Sequence, residues 1–156
     1  MVAHTGEEKR RVARIKFRLS DKLTVKYKFL SHLESFQCLT VFTGFALNLS
    51  KGGALFVGPI PGASWLPQLG QGLVLIGVNV MVPETRPVKA LASLRWTRPG
   101  PNDVAYKLGG GPHYELGVQF EQLDPAHRNT LEKFLIGHQL RTRRFRIRDE
   151  LEKGFS

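Results

Sequence analysis

From position 23 the chain alternates. Leu23, Val25, Tyr27 and Phe29 are apolar, and Thr24, Lys26 and Lys28 between them are polar. A period of two rich in β-branched and aromatic residues predicts a strand with one buried face. A second run covers 39–47, with Val41, Phe42, Phe45 and Leu47, and shorter or longer runs follow at 54–57, 73–82 and 88–98. A sixth covers 114–120, where Tyr114, Leu116, Val118 and Phe120 alternate with other residues. The segments between them are rich in turn formers: 48–53 is Asn-Leu-Ser-Lys-Gly-Gly, and 58–72 and 99–112 carry repeated Pro and Gly. Both long segments read as loops. At Asp124-Pro125 the period changes. Asp at the N-cap with Pro in the first helical position predicts a helix start. His127, Leu131, Phe134, Leu135 and His138 then recur at helical spacing, so the helix is expected to run to about 140, or on through 148. Six strands closed by one helix predict a mainly β domain, a small antiparallel barrel or sandwich.

Length and charge sharpen this picture. A chain of 156 residues is one domain's worth. Lys and Arg number 23 against 13 Asp and Glu, a net charge of +10, and an anionic partner follows naturally from that balance. Much of the charge sits in 1–22, which holds few apolar anchors and reads as a basic arm or loosely held first element. A second cluster covers 141–148, where five arginines near a helix C-terminus suit the helix dipole and a solvated face. The longest apolar run, 72–82, is about half of the roughly 20 residues needed to span a bilayer. The single Cys38 excludes an internal disulfide framework and a cysteine-rich zinc site. The basic start shows no secretory signal, and a cytoplasmic protein without a membrane span is expected.

Catalytic signatures are missing. The five histidines have no metal-ligand spacing, and no nucleophile-elbow, phosphate-loop or dinucleotide fingerprint occurs. Neither a metal nor a catalytic group is expected, and His127 and His138 read as structural or surface residues.

Two short motifs remain. The first is Arg10-Arg11-Val12-Ala13-Arg14, an RxxxR spacing that also occurs at Arg14/Arg18 and Arg144/Arg148 and means little alone. The second is Asn48-x-Ser50-x-x-Gly53, the only [DN]xSxxG in the chain. Composition alone predicts roughly 0.04 such occurrences. An ordinary hairpin turn with Asn and Ser bonded to the backbone is the competing reading. A glycosylation sequon at Asn48 is poor without a signal sequence.

The order RxxxR, strand, NxSxxG, a strand ending Leu94-Arg95-Trp96, then Leu116-Gly117-Val118-x-Phe120 and a helix at Asp124-Pro125 resembles the PilZ domain, a bacterial receptor module for cyclic di-GMP. The resemblance covers most of the chain. It implies a six-stranded antiparallel β-barrel with a C-terminal helix, divided here as a basic arm (1–22), barrel (23–122), helix (123–148) and tail (149–156). It implies Arg10 and Arg14 as the motif arginines, with Arg11 as a third contact. A guanidinium fork matches a phosphate or the O6/N7 edge of guanine in bidentate fashion, which an ammonium does not. Asn48 and Ser50 would offer polar atoms, and Gly53 would free the backbone to approach the ligand. Trp96 would stack on a base.

The function expected is a non-enzymatic second-messenger receptor. It would relay ligand binding, by ordering of the arm, to an unidentified downstream protein in motility, adhesion or polysaccharide output. The alternatives are a PilZ-like adaptor that binds no nucleotide and a basic barrel for single-stranded nucleic acid. The last is disfavoured because Phe29, Phe42, Phe45 and Phe120 fall at inward positions rather than among exposed basic residues.

Overall fold

The computed structural model describes residues 14–17, 23–100 and 112–154, with side chains as far as Arg141. Seven strands form one antiparallel sheet: β1 (Ile15–Lys16), β2 (Thr24–Ser31), β3 (Phe42–Leu49), β4 (Gly53–Pro59), β5 (Val74–Val80), β6 (Val88–Pro99) and β7 (His113–Leu123). Their order is β1-β3-β2-β5-β6-β7-β4, and β3 also pairs with β4. That last pairing closes β2 to β7 into the expected six-stranded barrel. A C-terminal helix, also expected, follows.

The alternation that predicts β2 is realised. Val25, Tyr27 and Phe29 are buried, and Lys26 and Lys28 are exposed. Tyr27 sits at the centre of an aromatic cluster, 4.8 Å from Phe56, 5.7 Å from Phe42 and 5.8 Å from Phe29 between ring centroids. Its hydroxyl donates to the Pro59 carbonyl. Burial pushes the Tyr27 phenol well above its ordinary pKa, because a phenolate there would lose its water.

Several boundaries differ from the sequence reading. The expected loop at 58–72 contains a 3₁₀ turn (Ala63–Trp65) running into a short helix, α1 (Leu66–Gly70). Pro67 falls in its first turn, where no N–H is needed. Trp65 and Leu69 are buried, Trp65 edge-on to Phe29 and Phe36, so the segment contributes to the core. The run at 39–47 starts as a strand only at Phe42, and Leu39 and Val41 are exposed. Phe42 and Phe120 are only partly buried against the core, and Phe45 is outside it.

The arm is anchored at its described end. Ile15 and Phe17 are buried, and β1 pairs with the part of β3 that β2 leaves free, through Ile15↔Leu49 and Lys16↔Asn48. Phe17 stacks on Phe134 at 5.9 Å and lies 4.8 Å from the His138 ring.

Helix α2 (Pro125–Gly154) begins as predicted, with Asp124 Oδ1 accepting the Ala126 N–H at 2.8 Å. Leu131 and Leu135 seat it on the barrel. His127 Nδ1 accepts the Lys89 N–H at 2.9 Å, a structural role that ties the helix start to β6. The helix extends past 148 through most of the expected tail. No proline interrupts it over its described length, which reaches Gly154.

Candidate functional site

Two irregularities in the barrel wall build a groove. Between β3 and β4 the register shifts from Ala46↔Phe56 to Asn48↔Leu55, leaving Leu47 as the extra residue. Between β6 and β7 it shifts from Leu94↔Val118 to Trp96↔Gly117, leaving Arg95 extra. A bulge bends its strand and re-aims the side chains next to it. The second bulge therefore exposes two consecutive residues, Arg95 and Trp96, where strict alternation would bury one of them.

Between these bulges lies an open groove of ≈ 830 Å³. It is lined by Arg14, Asn48, Ser50, Gly53, Arg95, Trp96 and Gln119, with Phe120 and backbone of β4 and β7. Five of the residues singled out in the sequence, Arg14, Asn48, Ser50, Gly53 and Trp96, are thus brought together from three separate regions. The β1–β3 register, continued by one residue, sets Arg14 across from Ser50. Arg10 and Arg11 lie outside the described residues.

Each part has a local cause. Ser50 is buried at the 50–53 turn: its N–H donates to the Gly53 carbonyl at 2.9 Å, and its Oγ accepts the Gly52 N–H at 3.2 Å. This hydroxyl shapes the turn. Gly53 also has a packing reason to be glycine. Its φ is outside the left-handed region, but a Cβ there would collide with the Val118 carbonyl oxygen of β7. Gly117 is similar, since a Cβ there would run into the indole of Trp96, which lies across it. Trp96 is 43% exposed, which leaves ring surface for a flat partner. The Arg98 guanidinium carbon sits 5.2 Å from the indole centroid, and Arg98 is ion-paired with Glu115.

Gln119 was not singled out in the sequence, and Arg95 was quoted only as part of the Leu94-Arg95-Trp96 strand end, with no site role. Arg95 Nε donates to Gln119 Oε1 at 2.6 Å, which fixes the guanidinium. Its terminal nitrogens have no protein partner among the described residues. Their proximity depends on the bulge, which alternation does not register.

The groove holds two guanidinium groups, Arg14 and Arg95, and no carboxylate among its lining residues. Two positive charges, a polar turn and an exposed aromatic face suit an anionic ligand carrying flat rings. Among the described residues no group of His, Cys, Asp and Glu is arranged to hold a metal ion. No helix among them is long and apolar enough to cross a membrane.

The sequence matches the family profile of the PilZ domain over residues 8–137. No functionally curated protein matches it. Solved structures share the fold at low identity. The Bacillus subtilis inhibitor of motility (MotI/DgrA) is 18% identical with a TM-score of 0.55, covering 84% of this chain and 51% of that one. The K. pneumonia MrkH–c-di-GMP complex is 14% identical with a TM-score of 0.57, covering 86% and 53%. The PilZ domain of Escherichia coli YcgR with c-di-GMP is 13% identical with a TM-score of 0.53, covering 86% and 94%. The chain spans about half the length of the first two of these proteins.

Proposed function

We propose that this chain, which belongs to the PilZ domain family, is a receptor for cyclic di-GMP that does no chemistry on it. One observation carries the reading: Arg14, the turn bearing Asn48 and Gly53, and the Arg95–Trp96 bulge converge on one groove free of carboxylates. The ligand's charge of about −2 is balanced there by two arginines, each with a fork suited to a phosphate or a guanine edge. Two structural neighbours in complex with c-di-GMP, MrkH and the PilZ domain of YcgR, have the same fold.

In this reading Arg14 and Arg95, both lining the groove, hold the phosphates or guanine edges. Asn48 meets a guanine edge, and Trp96 stacks on a base. Ser50 and Gly53 keep the turn in shape. Arg10 and Arg11 add two guanidinium groups just ahead of Arg14. Binding through them fixes the segment before Arg14 against the groove and changes the surface offered to a downstream protein. Strand β1 supplies a second route: Arg14 is at the groove, and three residues on, Phe17 packs against Phe134 and His138 of α2.

Isothermal calorimetry tests the reading. Wild type should bind cyclic di-GMP with micromolar or tighter affinity. Arg14→Ala removes a charge-assisted contact of about 1.5–3 kcal/mol, roughly 10- to 150-fold in affinity. Absence of heat with wild type would leave an adaptor that works through protein contacts alone. Salt-sensitive binding to mixed oligonucleotides without preference for the dinucleotide would mark a single-strand-binding barrel instead.

A further inference from the structure

A second groove, of ≈ 480 Å³, opens on the outer face of β2, β5 and β6 and shares no lining residue with the first. The sheet register builds it. Lys26, Asn79 and Lys89 form one cross-strand row, and Lys28, Gly77 and Leu91 form the next. Gly77 leaves a gap in the middle of the second row. A Cβ there would sit 3.4 Å from Leu30 Cδ1 and 3.6 Å from Lys28 Cγ, so β2 side chains wall the gap without filling it. Leu30 and Val41 continue the wall, and they are 39% and 58% exposed.

The groove therefore carries Lys26 and Lys89 at one end, and at the other an aliphatic wall of Leu30, Val41 and Leu91 beside the stem of Lys28. Among the described residues none of the three lysines is paired with a carboxylate. Asp124 reaches the rim, but its Oδ1 is taken by the Ala126 N–H at the start of α2. The two rows are two residues apart on each strand, about 7 Å. That is also the spacing of side chains i and i+2 in an extended peptide.

We propose that this face docks a segment of a partner protein in which an Asp or Glu stands two residues from an aliphatic or aromatic side chain. The carboxylate lies between Lys26 and Lys89, and the apolar side chain enters the gap over Gly77 against Leu30 and Leu91. Charge complementarity and the exposed aliphatic wall favour such a segment over a polyanion. A phosphate chain would leave the Leu30–Leu91 end unsatisfied. The proposal does not depend on nucleotide binding.

The test is selection of a random 12-residue phage-displayed peptide library on the full chain. Enriched peptides are then synthesised and measured by fluorescence polarisation on wild type, Gly77→Val and the double variant Lys26→Glu/Lys89→Glu. Gly77→Val fills the gap without touching charge, and Val suits a strand. Thermal unfolding of both variants checks that they fold. The expected result is a consensus of an acidic residue two positions from an apolar one, with affinity falling about tenfold or more in each variant. Three results would overturn the proposal. One is no enrichment over an unrelated basic protein. Another is a consensus without an acidic residue, or peptides that bind both variants as well as wild type. The third is equal competition by oligo(dT) or anionic vesicles with no effect of Gly77→Val, which would mark a polyanion surface.

Discussion

The two adjacent glycines of the 48–53 turn should respond in opposite ways to the same added methyl group. At Gly53 a Cβ would strike the Val118 carbonyl oxygen and lie 3.3 Å from Val118 C and 3.4 Å from Gln119 Cα, all backbone atoms of β7. None can rotate aside, so β4 and β7 must separate at the Gly53↔Gln119 and Ala54↔Val118 pairs. Overpacking of this kind costs about 1–3 kcal/mol. For a chain of this size each kcal/mol lowers Tm by about 2–4 °C, so Gly53→Ala should melt roughly 2–12 °C below wild type. At Gly52 the nearest atom to a Cβ is Ser50 Oγ, 4.0 Å away, and φ is not positive. Gly52→Ala should therefore stay within about 0.5 kcal/mol of wild type, or gain slightly from a less flexible unfolded chain. Scanning calorimetry without ligand measures both. If Gly53→Ala melts within 1 °C of wild type, or Gly52→Ala falls as far as Gly53→Ala, the close-approach argument is wrong. Gly53 would then matter for another reason.

Other expectations follow from the core and the helix start. Tyr27→Phe strands the Pro59 carbonyl and should cost about 1–3 kcal/mol in urea denaturation at neutral pH. Because the folded-state pKa of Tyr27 is raised, its contribution is intact below about pH 10 and is lost as pH rises, since only the unfolded chain then ionises it. Stability of wild type should fall above that pH by about 1.4 kcal/mol per unit, and Tyr27→Phe should remove this slope. Trp65→Ala should cost about 3–5 kcal/mol, where an ordinary surface loop would cost almost nothing. Asp124→Ala should lower stability by about 1 kcal/mol through loss of the helix cap, read from the same urea curves.

The parts of the fold visible in the sequence are those where one physical signal dominates. β2 has an apolar inner face and lysines outside, and α2 starts on an Asp-Pro pair, so both read directly. The 58–72 segment misleads because three prolines and several glycines outweigh three buried side chains, Ile60, Trp65 and Leu69, the last two within its turn and helix. β1 is invisible because two residues flanked by charge carry no period; only pairing with β3 and burial of Ile15 and Phe17 define it. At the site, the chemistry of Arg14, Asn48 and Trp96 is legible as motif. The place of Arg95 and Gln119 at the groove is not, because a one-residue bulge brings them there. Gly53 is legible by identity, but its cross-strand contact with the Val118 carbonyl oxygen, which also requires glycine there, is not, because pairing with β7 sets it.

A ¹⁵N-resolved NMR titration with cyclic di-GMP bears most directly on the central claim. Saturable shifts should concentrate at Arg14, at 48–53, at Arg95 and Gln119, and at the Trp96 indole N–H, with Lys26, Gly77 and Lys89 little changed. Shifts centred instead on the Lys26–Lys89 face, or none at millimolar ligand, would contradict it.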